Sequence, residues 1–357
     1  MSTYIDVHLP SLMHNLALVR RLAPNSACVA MVKADAYGCG VQKIAPQLEG
    51  NVDALGVARI EEALQLRRMG ITTPIVVFQG VLHSNQWPLF AEHQCAVVLH
   101  HADQLRSFLN SPLSRAISVW VKVNTGMHRL GFSADEVLEV VEILQSCPWV
   151  AKPIKILTHF ACADEPENAL NQKQIENFEA LKFPRENIEY SMANSAAILA
   201  FPESHADWVR PGIMLYGVSP FADRSAQSLG LRPVMCLSAE ISALQTCAVG
   251  DTVGYGATWQ AKRVSRIGVV QIGYGDGYPR HVAPGTPVWI HGQEIPIVGR
   301  ISMDSLTIDL TDYPHVGLYD RVELWGPHLA VERIAKMANT SPYELLCQVI
   351  SRKDGRS

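Results

Sequence analysis

Short apolar runs, each closed by a polar turn and followed by a stretch with helical spacing, recur along the first 220 residues or so. The runs lie at 28–33, 54–57, 74–78, 96–99, 117–123, 154–158, 188–192 and 208–216, and they predict eight strands. Between them the spacing predicts helices. One covers 59–69 and ends at Gly70, a glycine placed to follow a helix C-terminus. Another starts after Ser133, where Ser133 and Glu136 form a capping box ahead of Leu138, Val141 and Leu144. Strands alternating with helices argue for a parallel sheet, and eight units over about 200 residues fit a short (β/α)8 barrel. An open doubly wound sheet is the alternative the same pattern allows.

After about Gly230 the rhythm changes. Segments 235–244, 265–272, 287–291 and 305–310 read as strands without helices between them, and His291-Gly292 suits a hairpin turn. A late helix is signalled by Ser341-Pro342-Tyr343-Glu344, with N-cap, proline and glutamate in order. The expected fold is therefore α/β: a TIM-type (β/α)8 barrel over 1–225, then a mostly β C-terminal domain over 226–357. Residues 1–10 are available to pair with that second domain.

Composition narrows the function class. At 357 residues the chain is large enough for two cores. Its hydrophobic share of 48% and charged share of 18% are ordinary for a globular protein. The net charge is −4 and Lys and Arg form no long run, so neither nucleic acid nor an anionic membrane is an expected partner. The N-terminal stretch lacks the basic start and apolar middle of a signal peptide. No apolar run approaches the roughly 20 residues that span a bilayer. The eight cysteines contain no CxxC pair and lie far apart, so reduced thiols in a cytoplasmic setting are expected, with no metal site.

In a barrel, catalysis takes place at the C-terminal ends of the strands. Those ends carry unusual polar residues: Lys33 as the last residue of the first run, Arg129 after the fifth, His159 after the sixth, Asn194 and Ser195 after the seventh, and Arg210 within the eighth. Taken singly, Lys33 reads as a snorkelling strand-end lysine, His159 as a structural imidazole, and Arg129 as the partner of an acid such as Asp135. Gly273, Gly275 and Gly277 lack the strand–helix context of a nucleotide loop. Co-location points further, because a Lys, two Arg and a His around one mouth suit a small anionic ligand. A lysine desolvated at a strand end has a neutral, nucleophilic amine of the kind a carbonyl cofactor needs. Ala34 and Ala36 leave room for a flat ring, and Tyr37 can reach its phosphate or edge.

The blocks VKADAYG, TGMHRLGF, ANSAA, VRPGIMLYG, GYGATW, IGYGDGYPR and GRISMD, in this order, closely resemble the alanine racemases, from Lys33 to Tyr343. That family consists of pyridoxal-phosphate enzymes of fold type III, with a barrel, a C-terminal β domain and a homodimer in which each β domain covers the other barrel's mouth. The resemblance implies pyridoxal 5'-phosphate as cofactor and alanine as substrate. Lys33 would be the Schiff-base lysine and one catalytic base, with Tyr255 of the second subunit as the opposing base. Arg210 would face the pyridine nitrogen, and His159 would join Arg210 and Tyr255 in a proton network. Tyr37, Ser195, Gly212, Ile213 and Tyr343 would hold the phosphate. Arg129 would bind the substrate carboxylate, and Tyr274 and Met303 from the partner would narrow the pocket. Lys122 matches a position carbamylated in some members. The resemblance departs at Cys39, where the family usually has His, and His128 is a position that varies within it.

On this reading two bases on opposite faces of Cα move one proton each, Lys33 for D-alanine and Tyr255 for L-alanine. Serine as a second substrate stays open, as does the choice between supplying D-alanine for peptidoglycan and catabolising alanine. A decarboxylase of the same fold type would carry a Gly-rich phosphate loop before strand eight and a C-terminal catalytic Cys; neither block is found. A cofactor carrier without turnover would resemble the barrel alone. A metal-dependent barrel hydrolase would show an HxH motif, and the adjacent His100-His101 reads instead as a strand-end surface pair.

Overall fold

The computed structural model describes residues 3–181, 183 and 186–349. A first strand, β1 (Thr3–Val7), and a helix, Leu9–Leu22, precede the barrel. The barrel strands are β2 (Ala27–Met31), β3 (Ala54–Val57), β4 (Ile75–Val77), β5 (Cys95–Leu99), β6 (Ile117–Lys122), β7 (Val150–Leu157), β8 (Ile188–Asn194) and β9 (Trp208–Arg210). Each pairs in parallel with the next, and β2 closes the ring on β9 through Ala27 opposite Trp208. The open-sheet alternative is thereby excluded. Strands such as β5, buried along its whole length, explain the continuous apolar runs: helices cover one side and barrel filling the other.

The helices form where their end signals lie. Ser133 Oγ accepts from the Glu136 N–H at 3.3 Å, and the Glu136 carboxylate accepts from the Ser133 N–H at 2.8 Å, starting helix Ala134–Ser146. Helix Ile60–Arg68 gives way to Gly70 at a φ of 83°. The expected eighth strand is too long. Only Trp208–Arg210 is strand; Pro211 and Gly212 turn the chain, and Ile213–Tyr216 is a buried 3-10 turn. Its apolar residues are core, but not extended.

The second unit is an antiparallel sheet in the order β1, β10 (Met235–Cys247), β13 (Ser265–Val270), β16 (Leu306–Asp309), β15 (Gln293–Val298), β14 (Pro287–Ile290), β17 (Arg321–Trp325), and β17 also returns to β10. A two-stranded ribbon, β11 (Thr252–Val253) with β12 (Trp259–Gln260), packs Val253 and Trp259 against Ile267 and Val298 of this sheet. His291 and Gly292, with φ of 47° and 86°, make the β14–β15 hairpin as expected. β1 pairs with β10, Thr3 opposite Ala239, so the N-terminal residues belong to the second sheet. Among the described residues no helix is long and apolar enough to cross a membrane, and all eight cysteines are free thiols.

Asn15 ties the two units together. Fully buried on helix Leu9–Leu22, it donates to the Leu215 and Arg232 carbonyls at 3.0 and 2.8 Å and accepts from the Arg232 N–H at 2.9 Å. The chain leaving the barrel is thus held beside the helix that entered it. Asn15→Leu leaves these backbone groups buried and unpaired. It should lower the unfolding free energy by about 2–4 kcal/mol, read from urea denaturation.

Candidate active site

The C-terminal ends of the barrel strands enclose a cavity of about 340 Å³, inside the ~300–1,000 Å³ range of small-molecule sites. Eleven residues singled out from the sequence line it: Lys33, Tyr37, Lys122, Arg129, His159, Asn194, Ser195, Arg210, Gly212, Ile213 and Tyr343. Met31, Ala58, Phe78, Gln79, Leu130 and Leu157, which sequence reasoning missed, complete the lining. Gln79 follows β4 and Ala58 follows β3, so the strand-end rule that found the others would have found these two. The lining holds four cationic side chains and no carboxylate.

Lys33 lies two residues beyond β2 rather than at a buried strand end, and solvent reaches it. Surrounding protein still displaces enough water to lower its pKa, and the Arg129 guanidinium adds to the effect. After it the backbone does something unusual. Ala34, Asp35, Ala36 and Tyr37 have φ of 53°, 53°, 54° and 54°, a left-handed turn made without glycine. Such residues cost roughly 1–2 kcal/mol each, so other contacts must hold them. Asp35 Oδ1 accepts from the Val41 N–H at 2.7 Å. Gly38 closes the turn at a φ of 76°, and a Cβ there would stand 2.0 Å from the Leu346 carbonyl oxygen. The turn is thereby packed against helix Pro342–Gln348, which carries Tyr343.

Arg210 is the anchor of the site. It is buried, and its Nη1 donates to Ser191 Oγ at 2.5 Å while Nη2 donates to the Thr158 and Met192 carbonyls at 2.6 and 3.1 Å. Nη2 also lies 3.4 Å from His159 Nδ1. Burial lowers the guanidinium to about 10, which leaves it charged at neutral pH. Burial and then the Arg210 charge push His159 well below its ordinary value, so its ring is neutral. Lys122, buried and facing Arg129, Arg210 and Lys33, drops to about 8. No ion pair joins Arg129 to Asp135 among the described residues, which removes the bland reading of that arginine.

A cradle of hydroxyl and N–H groups follows the C-terminal ends of β8 and β9. Ser195 Oγ accepts from the Gly212 and Met214 N–H groups at 2.8 and 3.3 Å. Ile213 opens the 3-10 turn, where a helix start leaves N–H groups without carbonyl partners. A Cβ on Gly212 would come within 2.3 Å of the Tyr37 hydroxyl, so only glycine lets that phenol reach over the cradle. Tyr37 stacks on Tyr216 at 4.6 Å between ring centres, and Tyr343 stands 6.3 Å away. Burial raises the phenol pKa of both Tyr37 and Tyr343, so they offer O–H donors. Hydroxyls, backbone N–H groups and cations with no competing carboxylate fit a phosphorylated ring carrying an aldehyde for Lys33.

Tyr255, Tyr274 and Met303 do not line this cavity. They stand on the second unit at 70%, 40% and 55% exposure. The Met303 carbonyl accepts from Gly275 beside Tyr274, and the loop bearing Tyr255 packs against Arg300, so the three share one face. The Gly273–Gly277 segment is a turn in this face, closed by the buried Asp276 accepting from the Gly273 N–H at 2.9 Å, and not a nucleotide loop. His100 is half-buried, with its Nε2 3.1 Å from the Gln79 carbonyl oxygen; only His101 is exposed.

Comparison with known proteins gives the same picture. Residues 7–220 match the alanine racemase N-terminal domain and residues 234–355 the alanine racemase C-terminal domain. An alanine racemase of Legionella pneumophila (strain Lens) is 54% identical over 350 residues, 98% of each chain. The crystal structure of biosynthetic alanine racemase from Pseudomonas aeruginosa superposes with a TM-score of 0.94 at 42% identity, covering 98% of both chains. That of alanine racemase from Bartonella henselae, with covalently bound pyridoxal phosphate, gives 0.88 at 29% identity over 99% of this chain and 98% of its own. With both domains matched and the fold shared end to end, the chain belongs to the alanine racemase family and is an amino-acid racemase.

Proposed function

We propose that the chain interconverts L- and D-alanine using pyridoxal 5'-phosphate attached through Lys33. The observation that carries this is the cavity's charge: four cations without a carboxylate, above a cradle of hydroxyls and N–H groups. Tyr37, Ser195, Gly212, Ile213 and Tyr343 would hold the phosphate. When bound, the cofactor draws electrons from the substrate's Cα–H bond and makes that proton removable.

The chain's own residues do the rest. The Lys33 amine, with its pKa lowered, is a base for one face of Cα. Tyr255 serves the other face from a second copy of this chain, since it stands exposed and outside its own cavity. Arg210 stays protonated and offers only donors, so beside the ring nitrogen it would supply a hydrogen bond without a readily transferable proton. Neutral His159 beside it can accept and pass a proton toward Tyr255. Arg129 binds the substrate carboxylate, and the second copy's Tyr274 and Met303 restrict the side chain to the size of alanine. The likeness to a biosynthetic enzyme supports supply of D-alanine as the role.

Lys122 completes the charge balance. Its amine, held at about 8, is partly neutral near physiological pH and can add CO2, releasing a proton. The resulting carbamate would be an anion facing Arg129 and Arg210 in place of a third clashing cation.

Borohydride reduction of the holoenzyme, followed by peptide mapping, should leave a pyridoxyl group on Lys33 alone; an adduct elsewhere overturns the site. Lys33→Ala and Tyr255→Ala homodimers should each be inactive. Mixing them should restore up to roughly a quarter of wild-type activity, because only hybrid dimers hold one intact site. No recovery would put Tyr255 in its own chain's site or in none. With 13C-bicarbonate, a carbamate NMR signal should grow as the pH rises toward 8 and be missing from Lys122→Arg.

A further inference from the structure

We propose that Glu62 is a positioning residue for the Lys33 amine, acting through the left-handed turn that follows it. This rests on the reading of Lys33 as the cofactor lysine. Glu62 stands in the first turn of helix Ile60–Arg68, behind β3, and belongs to a different strand end from Lys33. Its Oε2 accepts from the Ala58 and Arg59 N–H groups at 2.7 and 2.9 Å, which caps its own helix. Its Oε1 does something a helix cap does not require. It accepts from the Ala34 N–H at 2.8 Å, beyond the end of the neighbouring strand β2.

That N–H belongs to the peptide joining Lys33 to Ala34. A peptide is planar, so holding its N–H restrains the rotation about the Lys33 Cα–C bond and with it the Cα–Cβ direction from which the Lys33 side chain starts. The turn itself is disfavoured for Ala34, Asp35, Ala36 and Tyr37, each with φ near 53°. Within the turn, the Ala36 N–H reaches the Val32 carbonyl at 3.0 Å, the Gly38 N–H that of Ala34 at 3.1 Å and the Gly40 N–H that of Asp35 at 3.0 Å. These bonds hold its shape. The Glu62 bond relates the turn to the next strand, whose end contributes Ala58 to the same cavity. Both carboxylate oxygens are engaged. Glutamine could serve only one side, and keeping its oxygen on Ala58 and Arg59 would aim its NH2 group at the Ala34 N–H.

Glu136 provides the control. It caps helix Ala134–Ser146 in the same manner, accepting from the Ser133 N–H at 2.8 Å, and makes no bond to the Lys33 turn. Holoenzymes carrying Glu62→Gln and Glu136→Gln are compared with wild type for kcat, KM for alanine, thermal midpoint and the visible circular dichroism of the bound cofactor. Both substitutions should lower the midpoint. Only Glu62→Gln should lower kcat, on the order of 10-fold, with KM changed less than about 2-fold and the cofactor's dichroism altered. Should Glu62→Gln not fold, Glu62→Asp, with the carboxylate withdrawn by one methylene, is read the same way. If the Glu62 variant matches Glu136→Gln in kcat and dichroism, the proposal is overturned. A borohydride adduct on Lys33 in wild type keeps that outcome separate from a failure of the functional reading, which an adduct elsewhere would mark.

Discussion

Positive charge gathered in one cavity is the constraint on which this structure turns. Lys33, Lys122, Arg129 and Arg210 share a lining with no carboxylate, and Arg210 is fully sequestered. A lone buried cation is costly unless hydrogen bonds and counter-charge offset it. Ser191, Thr158 and Met192 supply the bonds to Arg210. No carboxylate of the lining supplies the counter-charge; under the proposed function the cofactor's phosphate and the substrate's carboxylate would bring it. Burial first, and then the neighbouring cations, keep His159 neutral and the lysines short of their usual basicity, so the enclosure that sets binding also sets the acid–base chemistry.

A barrel suits this arrangement because it brings residues distant in sequence to one rim. Each functional group then depends on the register of its own strand and the shape of the turn after it. Arg210 is held by the Thr158 carbonyl just after β7 and by the Ser191 hydroxyl and Met192 carbonyl within β8, so its guanidinium reports the relative setting of three strands. Ser195 likewise bridges the segments after β8 and β9. Rigidity at the rim comes from these cross-strand bonds rather than from any one loop.

How much of this could be read from the sequence follows from what each element needs. Parallel barrel strands are buried on both sides, so they read as unbroken apolar runs, and all eight were legible. The eighth was overextended because residues 213–216 are apolar and buried without being strand. In the β unit, β15 contains Pro296 and β17 mixes Arg321 and Glu323 with apolar residues, so neither stood out; the helix Val331–Met337 was missed as well. The cavity residues were found because strand ends are chemically conspicuous and their motifs distinctive. The left-handed turn was not legible: Ala-Asp-Ala-Tyr has no preference for it, and it is sustained by its own backbone bonds together with the Asp35–Val41 bond, the bond to Glu62 and the contact at Leu346. Asn15 gave no signal either, since its partners lie some 200 residues away.

The pairing of β1 with β10 bears on how the protein is made. Thr3 meets Ala239, so the opening strand has no sheet to join until more than half the chain has been synthesised. Every barrel strand emerges before then, and the helix Leu9–Leu22 can dock early while the five residues ahead of it wait. A nascent chain stalled after β9 would therefore carry an unsatisfied strand edge, the kind of surface that chaperones shield and that neighbouring nascent chains can misuse. What leaves the ribosome first is thus among the last parts to be secured.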